Sequence, residues 1–266
     1  MPGPYAHQAV TSKLQCAGLL DELLTALGSR PSAMADPLAL CLLGTVSPDF
    51  PNLAPPETGD ALWADAMHHA RTGEMIMHGI DYLRLHPDSS RKTGLLAWLL
   101  GYCSHIVTDA TIHPVVRLIV GDYDQNVRAH RLCELHQDYH IARQAGFGDI
   151  GTDPELNCML LACAHPSSPC SLDPDIADFW TDLLRHCHSD LFESHPPDVH
   201  GWYRQAVSLV AAGESEKRHL FPLARVILER NGLQYPDTGN ANPGYVAGLP
   251  VPDSRFSTYD ALFTKA

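Results

Sequence analysis

Residues 94–114, GLLAWLLGYCSHIVTDATIHP, decide how this chain is read. The first half of the stretch is apolar on every side, which suits a helix in the middle of a bundle better than one at a surface. The second half places His105, Asp109 and His113 at intervals of four. At helical periodicity these side chains leave one face, a turn apart. Neutral imidazole nitrogens and carboxylate oxygens are ligand types that zinc takes at catalytic sites. A buried helix with such a stripe predicts half of a metal site, the other donors coming from neighbouring helices.

Those neighbours are legible as helices too. Apolar residues recur at three- and four-residue spacing in HQAVTSKLQCAGLLDELLTALG, which the pattern predicts as one helix stopping at Gly28. DPLALCLLGTVSPDFPNLAPPETG reads as a short helix running into a Pro-rich loop, and DALWADAMHHARTGEMIMHGIDYLRLH as one long helix. VRAHRLCELHQDYHIARQ follows the central helix after a turn at Gly121, antiparallel to it. Further helices are predicted in PELNCMLLACAH, DIADFWTDLLRHCHSDLF, VHGWYRQAVSLVAAG and KRHLFPLARVILERN. No alternating run bounded by hairpin turns is present. The expectation is an all-α chain: a single-domain multi-helix bundle over residues 1–232 with a metal cluster in a cleft between helices, and a Pro/Gly-rich tail over 233–266 packing on it.

Composition narrows the function classes. With 266 residues, 45% of them hydrophobic, the chain can bury a sizeable core. A net charge of -13 leaves no broad basic surface for nucleic acid or an anionic bilayer. No run of consecutive apolar residues approaches the roughly 18 that suggest a membrane span, so no integral membrane association is expected. The opening MPGPYAHQAVTSKL lacks the pattern of a secretory signal. The eight cysteines form no CxxC pair and read as free thiols in a reducing, cytoplasmic setting.

Sixteen histidines make four-residue pairs with carboxylates common by chance, so order along the chain matters more than any one pair. His130 and Glu134 repeat the spacing of His105 and Asp109; His186 and Asp190 share it and are read as coincidence, while His136 and His140 form a further candidate pair. Taken in order, AH at 6–7, SPDF at 47–50, MHHARTGE at 67–74, LLGYCSHIVTDATIHP at 99–114 and AHRLCE at 129–134 resemble the zinc-dependent phospholipase C family. That family shares its all-helical fold with the S1/P1-type nucleases. The resemblance covers about the first half of the chain, and its most specific part is the LLGYxSHxxTDxxxHP block.

The resemblance implies a cluster of two or three zinc ions that hydrolyses a phosphodiester. Asp49, His68, His105 and Asp109 would hold the first ion and His113, His130 and Glu134 the second. His7 would hold a third, with Asp109 bridging. His68 is preferred over His69 because it stands five residues ahead of Gly73, as in relatives. Secreted members complete the third site with an N-terminal tryptophan, which this chain lacks; removal of Met1 would expose the amine of Pro2 in its place. Asp49, Asp109 and Glu134 are then the catalytic carboxylates, acting with a metal-activated water in place of a nucleophilic side chain. The expected substrate is a small-molecule or lipid-derived phosphoester. The same donors suit iron or manganese and a different reaction in a biosynthetic pathway, or a non-catalytic, metal-stabilised binding protein. Trp180, Trp202 and Tyr203 stand open between cleft wall and core.

Overall fold

The computed structural model describes residues 3–16, 18–26, 34–86, 89–145, 154–215, 235–236 and 241–246. Eleven α-helices are found among them: α1 (Pro4–Cys16), α2 (Leu19–Ala26), α3 (Pro37–Val46), α4 (Ala61–His69), α5 (Thr72–Leu85), α6 (Ser89–Val120), α7 (Tyr123–Gln144), α8 (Pro154–Ala162), α9 (Pro174–Cys187), α10 (Ser189–Ser194) and α11 (Val199–Ser215). The strands are β1 (Ala164–His165) and β2 (Ser168–Leu172), one small antiparallel pair. The protein is all-α, as the periodicity predicts.

The central stretch forms α6, and α3 packs along it more extensively than any other pair of elements. Glycine makes that approach physically accessible. A methyl group on Gly101 of α6 would collide with the carbonyl oxygen of Cys41, and one on Gly44 of α3 with the carbonyl oxygen of Trp98. Each helix therefore presses backbone against backbone at a position where the other carries no side chain. The main core forms around this crossing, with Trp63, Trp98, Trp180 and Trp202 all fully buried. A second, smaller core joins Ala6, Ala9 and Val10 of α1 to Ile112, Val115 and Val116 of α6 and Cys133 and Ile141 of α7. It fixes the three helices that surround the histidine stripe.

Two predicted helices are each broken in two. The N-terminal one is interrupted near Gly18, whose φ of +70° lies in the left-handed region that only glycine enters cheaply. The helix predicted across MHHARTGE ends at His69 and restarts at Thr72, with Arg71 at a φ of +52°. The arginine sequence gives no warning of that conformation. Its Nη1 donates to the Cys187 carbonyl at 3.2 Å, which ties the corner to α9. Gly121, at a φ of +85°, makes the expected turn between α6 and α7. The helix predicted in KRHLFPLARVILERN lies outside the described residues, as does most of the 233–266 tail.

Over Arg91–Val120, α6 is long and apolar enough to cross a membrane by length and composition, a property that counting consecutive apolar residues misses. Yet 56% of its most apolar window is buried inside the protein, as befits the core helix of a bundle. Trp180, Trp202 and Tyr203 are buried in the core, and the Tyr203 hydroxyl donates to the Leu160 carbonyl at 2.6 Å. None of the seven described cysteine thiols is in a disulfide.

Because the α3–α6 crossing leaves no space for a methyl, Gly101→Ala is expected to cost about 3 kcal/mol of stability. Urea unfolding measures it; a loss below about 0.5 kcal/mol, the range of an ordinary surface substitution, would contradict a backbone-to-backbone crossing.

Candidate metal centre

α6 presents His105, Asp109 and His113 one turn apart toward a space enclosed by α1, α4 and the 3-10 segment Ser47–Leu53 that follows α3. Each neighbour contributes a donor: His7 from α1, Asp49 from the 3-10 segment, His68 from the last turn of α4. All five of His7, Asp49, His68, His105 and Asp109 are at least nine-tenths buried as side chains. The Asp109 carboxylate is the hub. It lies 3.3 Å from His7 Nε2, 3.9 Å from His68 Nε2, 3.6 Å from His105 Nε2 and 3.9 Å from His113 Nε2.

Local structure sets which nitrogen each histidine offers. Thr45 sits in the last turn of α3, where carbonyls lack helical partners, and its carbonyl accepts from His105 Nδ1 at 2.7 Å. A carbonyl can only accept, so Nδ1 carries the proton and Nε2 presents a lone pair. The Ala64 carbonyl does the same for His68, at 2.6 Å from Nδ1. The two Nε2 atoms then face one another across 2.9 Å. Two lone pairs at that distance repel unless a cation or a proton lies between them. Nearby, both ring nitrogens of His7, Oδ1 of Asp49, both oxygens of Asp109 and Nε2 of His113 are buried without a hydrogen bond. Unmet buried polar atoms are costly one by one, and here they converge on one space.

These donors fit a metal ion. Ligand atoms about 2.0–2.1 Å from a tetrahedral zinc lie roughly 3.3 Å apart, close to the separations found here. Two overlapping sets come within reach of a single ion among the described residues: His7, His105 and Asp109, and Asp49, His68 and His105. The electrostatics agree. Burial alone would raise the Asp49 carboxyl, but His68, with His105 and His7, outweighs it and holds it at about 2. Burial opposes ionisation of Asp109 too, and His105, His7 and His68 keep it well below the usual carboxylate range. Burial pushes His105 and His113 down to about 3, leaving them neutral. His68 differs: burial works against its proton, yet Asp49 raises it above the ordinary imidazole value.

Three other expected donors are placed differently. His113 reaches Asp109 but is about one-third exposed at the cleft. His130 is turned by a 2.5 Å hydrogen bond from Nε2 to the Gly121 carbonyl, which leaves Nδ1 as its available nitrogen. Glu134 is buried and lies 3.6 Å from Arg131 Nη1. These three do not form a set within reach of one ion among the described residues. Pro2 lies outside the described residues. His69 is exposed, and His68 is the one of the pair found in a donor set. The His136 ring is engaged elsewhere, its Nδ1 accepting the Asn242 N–H at 2.9 Å.

Sequence reading missed two contributors. Asp138, fully buried on α7, accepts the Ala6 N–H at the start of α1 at 2.6 Å and the Tyr235 hydroxyl at 2.5 Å. A carboxylate at a helix N-terminus satisfies an orphan donor, and here it fixes the turn that carries His7. Arg131 lines the mouth of the centre, a cleft of about 1280 Å³ between α4, α6 and the start of α7. Its walls include His68, His113, Tyr123 and His130. An isolated Asp in an amphipathic helix, or an Arg beside a Glu, carries no spacing signal that would have singled either out.

The family described as zinc dependent phospholipase C matches residues 18–190, which include every expected donor except Pro2 and His7. No curated protein and no solved structure matches the chain significantly.

Two outcomes are expected. Acid protonates His68 and competes with a cation, so zinc affinity falls as pH drops through the raised His68 value and binding releases protons. Calorimetry in buffers of different ionisation enthalpy detects that release. In the same titration His68→Ala loses at least about tenfold in affinity while His69→Ala changes by less than about twofold; equal effects would reverse the choice between them. Asp138 tests the anchoring of α1. Burial pushes its carboxyl from 3.8 up to about 7, so the folded chain holds a proton over that window and the unfolded chain does not. Its contribution to stability therefore falls as pH rises between those values, and Asp138→Asn should flatten the slope of melting temperature against pH there.

Proposed function

Since the chain belongs to the zinc-dependent phospholipase C family, we propose that it is a metal-dependent phosphodiesterase working through the centre around Asp109. The observation that carries the reading is the pair of facing Nε2 lone pairs of His68 and His105, 2.9 Å apart beside two ionised carboxylates, an arrangement that calls for a cation. When bound, zinc supplies Lewis-acid stabilisation of charge on phosphoryl oxygen and acidifies a coordinated water, so no nucleophilic side chain is needed.

The residues divide the remaining work. His7, Asp49, His68, His105 and Asp109 would hold the metal, with His105 common to both donor sets. Asp49 keeps its charge, and its Oδ1 has no hydrogen bond, so it would orient the attacking water from beside the donors. The Thr45 and Ala64 carbonyls fix the rings of His105 and His68 by holding their Nδ1 protons, the role that outer hydrogen bonds play at zinc sites. His113 and His130 line the cleft, and with Glu134 they would hold a further ion only if their side chains rearranged around it. A soluble phosphoester or a lipid-derived one fits a cleft of this volume, and the free cysteines suit work in a reducing cytoplasm.

The test is elemental analysis of untagged protein together with hydrolysis of bis-p-nitrophenyl phosphate before and after chelation. Two to three zinc ions per chain and turnover that is lost on chelation and restored by zinc are expected. Asp109→Asn should lower turnover at least about 100-fold. Iron or manganese at full occupancy without phosphodiester hydrolysis would replace this reading with other chemistry at the same donors.

A further inference from the structure

One charged side chain at the cleft has no role in holding a metal. Arg131 extends from α7, its side chain 23% exposed, into the wall shared with His68, His113 and His130. A guanidinium carries five N–H donors in a rigid plane. Few are used: Nη2 donates to the Tyr123 hydroxyl at 3.3 Å, a long bond, and Nη1 stands 3.6 Å from Glu134 Oε2, too far for a bidentate pair. Cζ lies 5.8 Å from the centre of the Tyr123 ring, which supports the group from one side.

The other cations near this opening are less suited. Arg117 also lines the cleft, but it is 70% exposed and ion-paired with Asp122. Among the described arginines lining the cleft, Arg131 combines a fixed plane, partial desolvation and spare donors where Arg117 does not.

We propose that Arg131 is the anion-binding residue of the cleft, its guanidinium fork receiving the non-bridging oxygens of the substrate phosphoryl group. This rests on the phosphoesterase reading and deepens it. His68 and His113 of the donor cluster line the same cleft as Arg131, so a phosphoryl group bound there would meet positive charge both from a bound cation and from the guanidinium. Planar, bidentate recognition is what arginine offers phosphate and lysine does not. The 3.6 Å contact to Glu134 aims the group without occupying its donors.

The experiment compares zinc-loaded wild type, Arg131→Met and Arg131→Lys, reading zinc content, melting temperature, KM and kcat for bis-p-nitrophenyl phosphate, and Kd for inorganic phosphate by calorimetry. Arg131→Met should raise KM and the phosphate Kd at least about tenfold with zinc content retained. Arg131→Lys should recover part of that loss and remain at least about threefold weaker than wild type. Unchanged phosphate affinity in Arg131→Met, with zinc content and folding intact, overturns the assignment. If that variant does not fold because Glu134 loses its counter-charge, Arg131→Lys carries the test, and a wild-type phosphate Kd there overturns it equally. The two readings fail separately. Phosphate binding that depends on Arg131 in a protein without phosphodiester turnover supports the anion site and removes the hydrolase; turnover with Arg131-independent phosphate binding does the reverse.

Discussion

Two imidazole lone pairs aimed at each other inside a protein are an electrostatic demand, and the rest of the molecule is arranged to create and sustain it. Helices α3 and α4 supply the carbonyls that strip His105 and His68 of any choice of tautomer. Gly44 and Gly101 let α3 come close enough for the Thr45 carbonyl to reach His105. The stacked His7 and His105 rings, 4.0 Å apart, press a third imidazole into the same space. Taken alone, each of these features has an unfavourable component: an unsatisfied nitrogen, a buried carboxylate, a helix interior weakened by glycine. Together they describe a space whose donors suit a cation.

The same demand explains why proton and metal are rivals here. Without a cation, Asp49 favours the protonated form of His68, and a proton on its Nε2 relieves the repulsion between the facing nitrogens. With a cation the proton must leave. A buried site of this kind resolves its electrostatics in one of two ways, and both keep Asp49 and Asp109 ionised.

Much of this was legible in the chain. The four-residue stripe His105, Asp109, His113 and the apolar run before it give the central helix and its active face, because helical periodicity alone fixes which side chains share a face. The ordered short motifs drew His7, Asp49 and His68 into the same reading from three separate elements, and the fold places these beside the stripe. What resisted reading depended on contacts between distant residues. The corner at Arg71 is held by a carbonyl 116 positions away, and the anchoring of α1 by Asp138 spans 132. Arg131 sits between His130 and Glu134, where the motif drew attention to its neighbours. The aromatic residues Trp180, Trp202 and Tyr203 could not be divided between wall and core without knowing which face of α9 and α11 turns inward.

Asp138 also imposes an order of assembly. One of its oxygens receives the first turn of α1 and the other receives Tyr235. During synthesis, at roughly 5–20 residues per second, the oxygen meant for Tyr235 lacks its donor until 97 residues have been added after Asp138. The turn bearing His7 is thus made well before the residue that completes its anchor. The Asp49, His68 and His105 side draws on segments made close together in time, whereas the His7 side waits for α7 to reach back to α1.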